Sequence, residues 1–177
     1  MGLVGLVGVT IAPGSTGVIT RLSQPGRTQY RFFTTEEAAL LTDICEQLIP
    51  GDDAPGAAET GVINYIDRQL CGVFKRHQPT YRRGLRAFHQ TCLQEHGGSF
   101  QSLTATQKIE ALRQLESGRA PKDLWDPSSP QAFFYLVLAH TMQGFYGSPR
   151  HGGNRDYASY RMLGLDYPPV VGRNRGV

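Results

Sequence analysis

Ser129-Pro130-Gln131-Ala132-Phe133-Phe134-Tyr135-Leu136-Val137-Leu138-Ala139-His140-Thr141-Met142-Gln143-Gly144-Phe145 is the stretch that decides the fold. Serine is a good N-cap, and a proline at the first helical position lacks only an N–H that would have no intrahelical partner. The pattern predicts a helix over 130–145. Phe133, Phe134, Tyr135, Leu136, Val137, Leu138 and Phe145 make it apolar on most sides, and such a helix is central, either in the chain's own core or in an interface.

Upstream, four further helices are legible. Thr34 with Glu37 matches a capping box, and Leu40, Leu41, Ile44 and Leu48 recur at helical spacing until Pro50-Gly51. A second helix is expected over 57–70, with Val62, Ile63, Ile66 and Leu70 on one face and Gly72 ending it. Pro79-Thr80 open a third, whose stripe of Tyr81, Leu85, Phe88 and Cys92 runs to Gly97-Gly98. Thr104 and Gln107 form another capping box before Ile109, Leu112 and Leu115, and Gly118 ends that helix. Residues 119–129 read as a loop holding Trp125. Downstream of the central helix a short helical turn is expected near Tyr157–Met162. There is no alternating strand pattern and no internal repeat. The expected fold is all-α: about five helices with long Gly/Pro-rich connections and an extended N-terminal arm.

The 177 residues include 21 glycines and 11 prolines, clustered between the periodic stretches. Long connections in a small domain are often functional or laid against something else. The net charge of +3 comes from arginines interleaved with acids, so nucleic acid is not an expected partner: the concentrated basic stripe it needs is absent, Lys75-Arg76-His77 and Arg82-Arg83 with Arg86 being the nearest approach. No apolar run nears the ~18 residues of a membrane-spanning helix. Cys45, Cys71 and Cys92 have no metal-ligand spacing, and Cys45 and Cys92 fall on apolar helical positions as small buried hydrophobes.

Three segments are expected. Residues 1–31 comprise MGLVGLVGVTIAP, an apolar stretch readable as a signal remnant or as a Gly-Val-rich arm, followed by a Gly/Ser/Thr/Arg linker. Residues 32–168 form the helical domain, and 169–177 are a tail.

P-loop, GxGxxG, HExxH and GxSxG motifs are all missing. Asp52-Asp53 sit between prolines, where acids accept turn hydrogen bonds. The densest polar constellation runs from His140 through Arg150, His151, Gly152-Gly153-Asn154, Arg155 and Asp156. A free-standing metal or acid–base enzyme would use His140, His151 and Asp156, whose spacing matches no metal motif. Otherwise His140 is a core histidine, Asn154 sits in a tight turn, and Arg150, Arg155 and Asp156 pin that turn or meet a partner. Trp125, Tyr146, Tyr157 and Tyr160, on or beside the connections, are residue types that anchor interfaces. The candidate interface set is therefore Trp125, His140, Tyr146, Arg150, His151, Asn154, Arg155, Tyr157 and Tyr160. No catalytic, cofactor-binding or metal-ligating residue is expected.

Over about residues 33–168 the chain resembles the gluconate 2-dehydrogenase subunit 3 family. The carriers are Phe33-Thr34, the run from Leu48 to Ala57, Gly61-Val62, Tyr65 to Leu70, His140-Thr141, Gly144-Phe145-Tyr146 and Pro149 to Arg155. The resemblance implies a non-catalytic small subunit of a heteromeric, membrane-associated sugar or sugar-acid dehydrogenase. In such a complex a large subunit of glucose–methanol–choline type carries FAD, and a multi-haem cytochrome c subunit passes electrons to quinone; an iron–sulfur cluster is also possible in a partner subunit. The small subunit has no cofactor of its own. It stabilises, matures and helps export the large subunit into the periplasm, where the complex sits on the inner membrane. Export in the family often uses a twin-arginine signal. None precedes Gly2-Leu3-Val4, so its arginines would lie upstream of Met1 or export has another basis. A transient export chaperone is the remaining alternative.

Overall fold

The computed structural model describes residues 30–165. Among them all regular elements are helical: α1 (Thr35–Leu48), α2 (Val62–Leu70), α3 (Gln78–His96), α4 (Ala105–Glu116), α5 (Lys122–Trp125), α6 (Pro130–Tyr146) and α7 (Ala158–Met162). Short 3-10 turns at Lys75–His77, Phe100–Ser102, Pro149–His151 and Arg155–Tyr157 complete the path. The all-α expectation holds. The expected arm over 1–31 lies outside the described residues up to residue 29, and the expected tail over 169–177 lies outside them altogether.

The caps form as the sequence predicts. Thr34 with Glu37 and Thr104 with Gln107 make reciprocal capping boxes, and Ser129 Oγ accepts from the Ala132 N–H at 3.1 Å. α6 is central, packing against α1, α2, α3, α4 and α7. Its buried side is Phe133, Phe134, Val137, His140, Thr141, Gly144 and Phe145. The α3 stripe of Tyr81, Leu85, Phe88 and Cys92 lies wholly inside. At Gly84 an added Cβ would lie 2.7 Å from Phe133 Cγ, so the Phe133 ring fills the hole that this glycine leaves.

Three local expectations are corrected. The helix expected over 57–70 begins only at Val62, because Gly61 is left-handed (φ 75°) and the Thr60 hydroxyl donates back to the Gly56 carbonyl at 2.9 Å, closing a separate turn. Ile109 is 41% exposed, and Ala111, Leu112 and Leu115 face the core in its place. The loop expected over 119–129 contains the turn of helix α5. This turn carries Trp125 inward, where its indole N–H donates to Thr91 Oγ1 at 3.1 Å and its ring lies 5.7 Å from Phe133.

Candidate functional site

The connections are fastened by polar side chains that reach backbone groups. Asp67 is buried on α2, and its carboxylate accepts three N–H groups from the incoming chain: Arg31 at 2.7 Å, Phe32 at 2.9 Å and Phe33 at 3.1 Å. Arg82 of α3 adds hydrogen bonds to Glu37 and to the Phe32 carbonyl, with its guanidinium 4.2 Å over the Phe32 ring. Glu46 does the same for the Leu48–Ala57 run. Its two oxygens accept from Gly51 and Ala58, each at 2.8 Å, and Gly56 packs so close that a Cβ there would meet the carboxylate at 2.5 Å. Asp52 accepts the Ala54 N–H at 3.0 Å and shapes that turn.

Asn154 anchors the late turn. It is fully buried in the left-handed region (φ 45°), its Nδ2 donates to the Gly147 carbonyl at 2.9 Å, and its Oδ1 accepts from the Ser159 N–H at 2.9 Å. Asp156 (φ 56°) and Tyr157 (φ 58°) continue in left-handed geometry, which costs roughly 1–2 kcal/mol per non-glycine residue and needs such external fastening. The Arg155 N–H crosses to the Thr60 carbonyl at 3.0 Å, tying this turn to the segment before α2.

His140 sits inside an aromatic stack. Its ring lies parallel to Phe74 at 4.2 Å and near-parallel to Tyr81 at 5.8 Å, and Nδ1 is 2.9 Å from the Tyr81 hydroxyl. Burial, with the nearby His77 and Arg76, lowers its pKa from 6.5 to about 4, so it is neutral near pH 7. The unfolded chain protonates His140 near 6.5 and the folded chain only near 4. Between those values the unfolded state binds more protons, so stability falls as pH drops from 6.5 towards 4. His77, also lowered by burial and Arg76, acts in the same sense. The expected loss is about 2 kcal/mol after allowing for solvent screening. Urea titrations at a series of pH values measure it, and His140→Phe, which keeps the stack, should flatten most of the slope. An equal slope in the variant would refute the assignment.

The neighbouring Thr141 hydroxyl contacts Cys45 Sγ at 3.2 Å, and burial pushes the Cys45 and Cys92 thiols up to about 12, so neither is a reactive thiolate at neutral pH. Cys71 is exposed, and all three cysteines are free.

These positions divide the expected interface set. Trp125, His140 and Asn154 are 2%, 4% and 0% exposed, and each is held by partners within the chain. Tyr157 and Tyr160 are half-buried, with rings 5.9 Å apart. Tyr146, Arg150, His151 and Arg155 are exposed, and Arg150 Nε donates to His151 Nε2 at 3.0 Å. The structure does not gather His140, His151 and Asp156, the residues of the metal or acid–base alternative, into one cluster. No group of three or more His, Cys, Asp or Glu among the described residues could hold an ion, because His140 is buried in its stack while His151 and Asp156 are on the surface. Among the described residues no helix is long and apolar enough to cross a membrane.

Sequence reasoning overlooked two features. One is the clamping role of Asp67, whose signal was a carboxylate at an apolar-stripe position beside Ile63, Ile66 and Leu70. The other is which side of α6 stays uncovered, since its apolarity left core and interface both open. Gln131, Ala132, Tyr135, Ala139, Met142 and Tyr146 are exposed along it, and α6 contains no Asp, Glu, Lys or Arg. Tyr135, Met142 and Tyr146 are 50%, 42% and 37% exposed. Met142 and Tyr146 join Tyr65 and His151 in lining an open cleft of about 530 Å³.

Fold and site together define an all-α domain whose motif residues fasten its own connections and whose central helix keeps one uncharged face outside. The chain belongs to the gluconate 2-dehydrogenase subunit 3 family, whose model matches residues 35–166. It is accordingly a small subunit of a multi-subunit dehydrogenase complex. No curated protein and no solved structure matches the chain.

Proposed function

We infer that this chain is a non-catalytic subunit that stabilises and matures the FAD-carrying large subunit of a sugar or sugar-acid dehydrogenase and helps its export. The observation that carries the reading is where the family-matched polar residues go. Asp67 and Asn154 hold the chain's own backbone, as does Glu46 around the Leu48–Ala57 run, and His140 is neutral within an aromatic stack. A fold fastened in this way offers a rigid surface to another protein. Binding to the folded large subunit alone would stabilise it by mass action.

FAD, and any iron–sulfur cluster or haem c, belong in this reading to the partner subunits. The large one is of glucose–methanol–choline type, and a cytochrome c subunit delivers electrons to quinone. The complex works in the periplasm, attached to the inner membrane through its other subunits. The large subunit expressed with and without this chain tests the reading. Soluble, FAD-loaded activity should rise at least about tenfold with the chain present, the equivalent of about 1.4 kcal/mol of stabilisation. Equal activity and flavin content without it would overturn the proposal.

A further inference from the structure

We propose that the outer face of α6, from Tyr135 through Met142 to Tyr146, is the docking surface for the large subunit, and that it receives a surface that is apolar along the stripe and acidic where it meets the C-terminal end of α6. This rests on the subunit reading above and adds the place and chemistry of the contact.

The exposed face of a surface helix ordinarily carries charged and polar residues. α6 has seventeen residues and no Asp, Glu, Lys or Arg among them, although its outer face is open over the helix's full length. Tyr135, Ala139, Met142 and Tyr146 follow one another at steps of four, three and four, so they form one stripe. Tyrosine and methionine are enriched in protein interfaces: both provide apolar contact area, and methionine adapts its shape to a partner. Tyr65 widens the stripe at its C-terminal end, where its hydroxyl donates to Gln143 Oε1 at 3.1 Å. The face is therefore wider than one helix and is framed by fixed side chains.

The charges around it give the partner's chemistry. The cleft formed by Tyr65, Met142, Tyr146 and His151 has no acidic lining residue. Its rim is basic: Arg150 is bonded to His151, and Arg68 lies across Gly152, where an added Cβ would be 3.0 Å from Arg68 Cδ. Both arginines are exposed. An apolar stripe with a basic rim at its C-terminal end matches a partner that is apolar along the contact and acidic beside that end. The Asn154 clamp and the Arg155–Thr60 bond hold the rim in register with the helix.

The test uses the full chain and the large subunit, co-expressed and then titrated against each other. Met142→Lys and Tyr135→Lys are made separately on the face, and Leu93→Lys, at a residue 47% exposed on α3, serves as the control. Thermal melts should match the wild type for all three, since each position is open to solvent. The expected result is at least about tenfold weaker binding for both face variants and unchanged binding for the control. Arg150→Glu should slow association at low salt and have less effect at high salt. Wild-type affinity in both face variants would overturn the docking proposal and leave the subunit reading standing. Failure of the wild-type chain to bind the large subunit would overturn both. Self-association of the wild-type chain, abolished by the face variants while large-subunit binding persists, would assign the face to a second copy and overturn the proposal.

Discussion

Asp67→Ala is expected to destabilise the fold by about 3–5 kcal/mol, because one side chain supplies the acceptor for three consecutive backbone donors. The Arg31, Phe32 and Phe33 N–H groups all point at it, and among the described residues no helix or turn offers them another acceptor. The Phe33 donor is buried, and Phe33 itself packs on Tyr81 with ring centroids 5.7 Å apart. Loss of the carboxylate therefore strands a buried N–H and loosens the entry of the chain into α1. Asp67→Asn separates charge from geometry. Its remaining carbonyl oxygen can still accept from Phe32 and Phe33, which share Oδ1, while Arg31 loses its acceptor. The expected cost is about 1–3 kcal/mol. Urea denaturation of both variants and amide exchange at Phe33 measure the series. A loss below about 1 kcal/mol for the alanine variant would mean that water replaces the carboxylate and that the clamp is incidental.

The same residue marks where the sequence stops being legible. Helix spans followed from local signals: capping boxes at Thr34 and Thr104, the proline after Ser129, and apolar spacing in α1, α3 and α6. These depend on residues no more than about four apart. Asp67 acts on residues more than thirty positions earlier, and Trp125 reaches Thr91 across a turn of helix too short to give a period. Ile109 fell on an apolar stripe yet faces solvent, because α4 turns Ala111 inward. For the candidate site, the sequence marks the His140–Arg155 region as dense in polar groups, but spacing alone does not divide it. Only the fold puts His140 and Asn154 inside and Arg150, His151 and Arg155 outside. The continuous apolarity of α6 was visible from the start. Which of its sides stayed uncovered depended on where five other helices pack.

Gly153→Ala should cost at least about 3 kcal/mol, with a direct consequence for assembly. Its Cβ would fall far inside van der Waals contact with the Gly144 carbonyl oxygen and 2.9 Å from the carbonyl carbon. Both groups are backbone, so no rotamer change relieves the overlap: the end of α6 and the 147–157 turn must move apart. That movement pulls on the Asn154–Gly147 hydrogen bond, which fastens the left-handed residues after it. It also shifts Arg150 and His151, the basic rim beside Met142 and Tyr146. Gly118→Ala is the matched comparison. Gly118 is left-handed (φ 71°) with nothing within 4 Å of an added Cβ, so that variant incurs conformational strain alone, about 1–2 kcal/mol. Melting temperatures should therefore fall further for Gly153→Ala than for Gly118→Ala, and binding to the large subunit should weaken only in the former. Equal melts would show that the α6–turn contact yields easily. A large stability loss with unchanged binding would show that the partner engages the chain away from the rim that this turn carries.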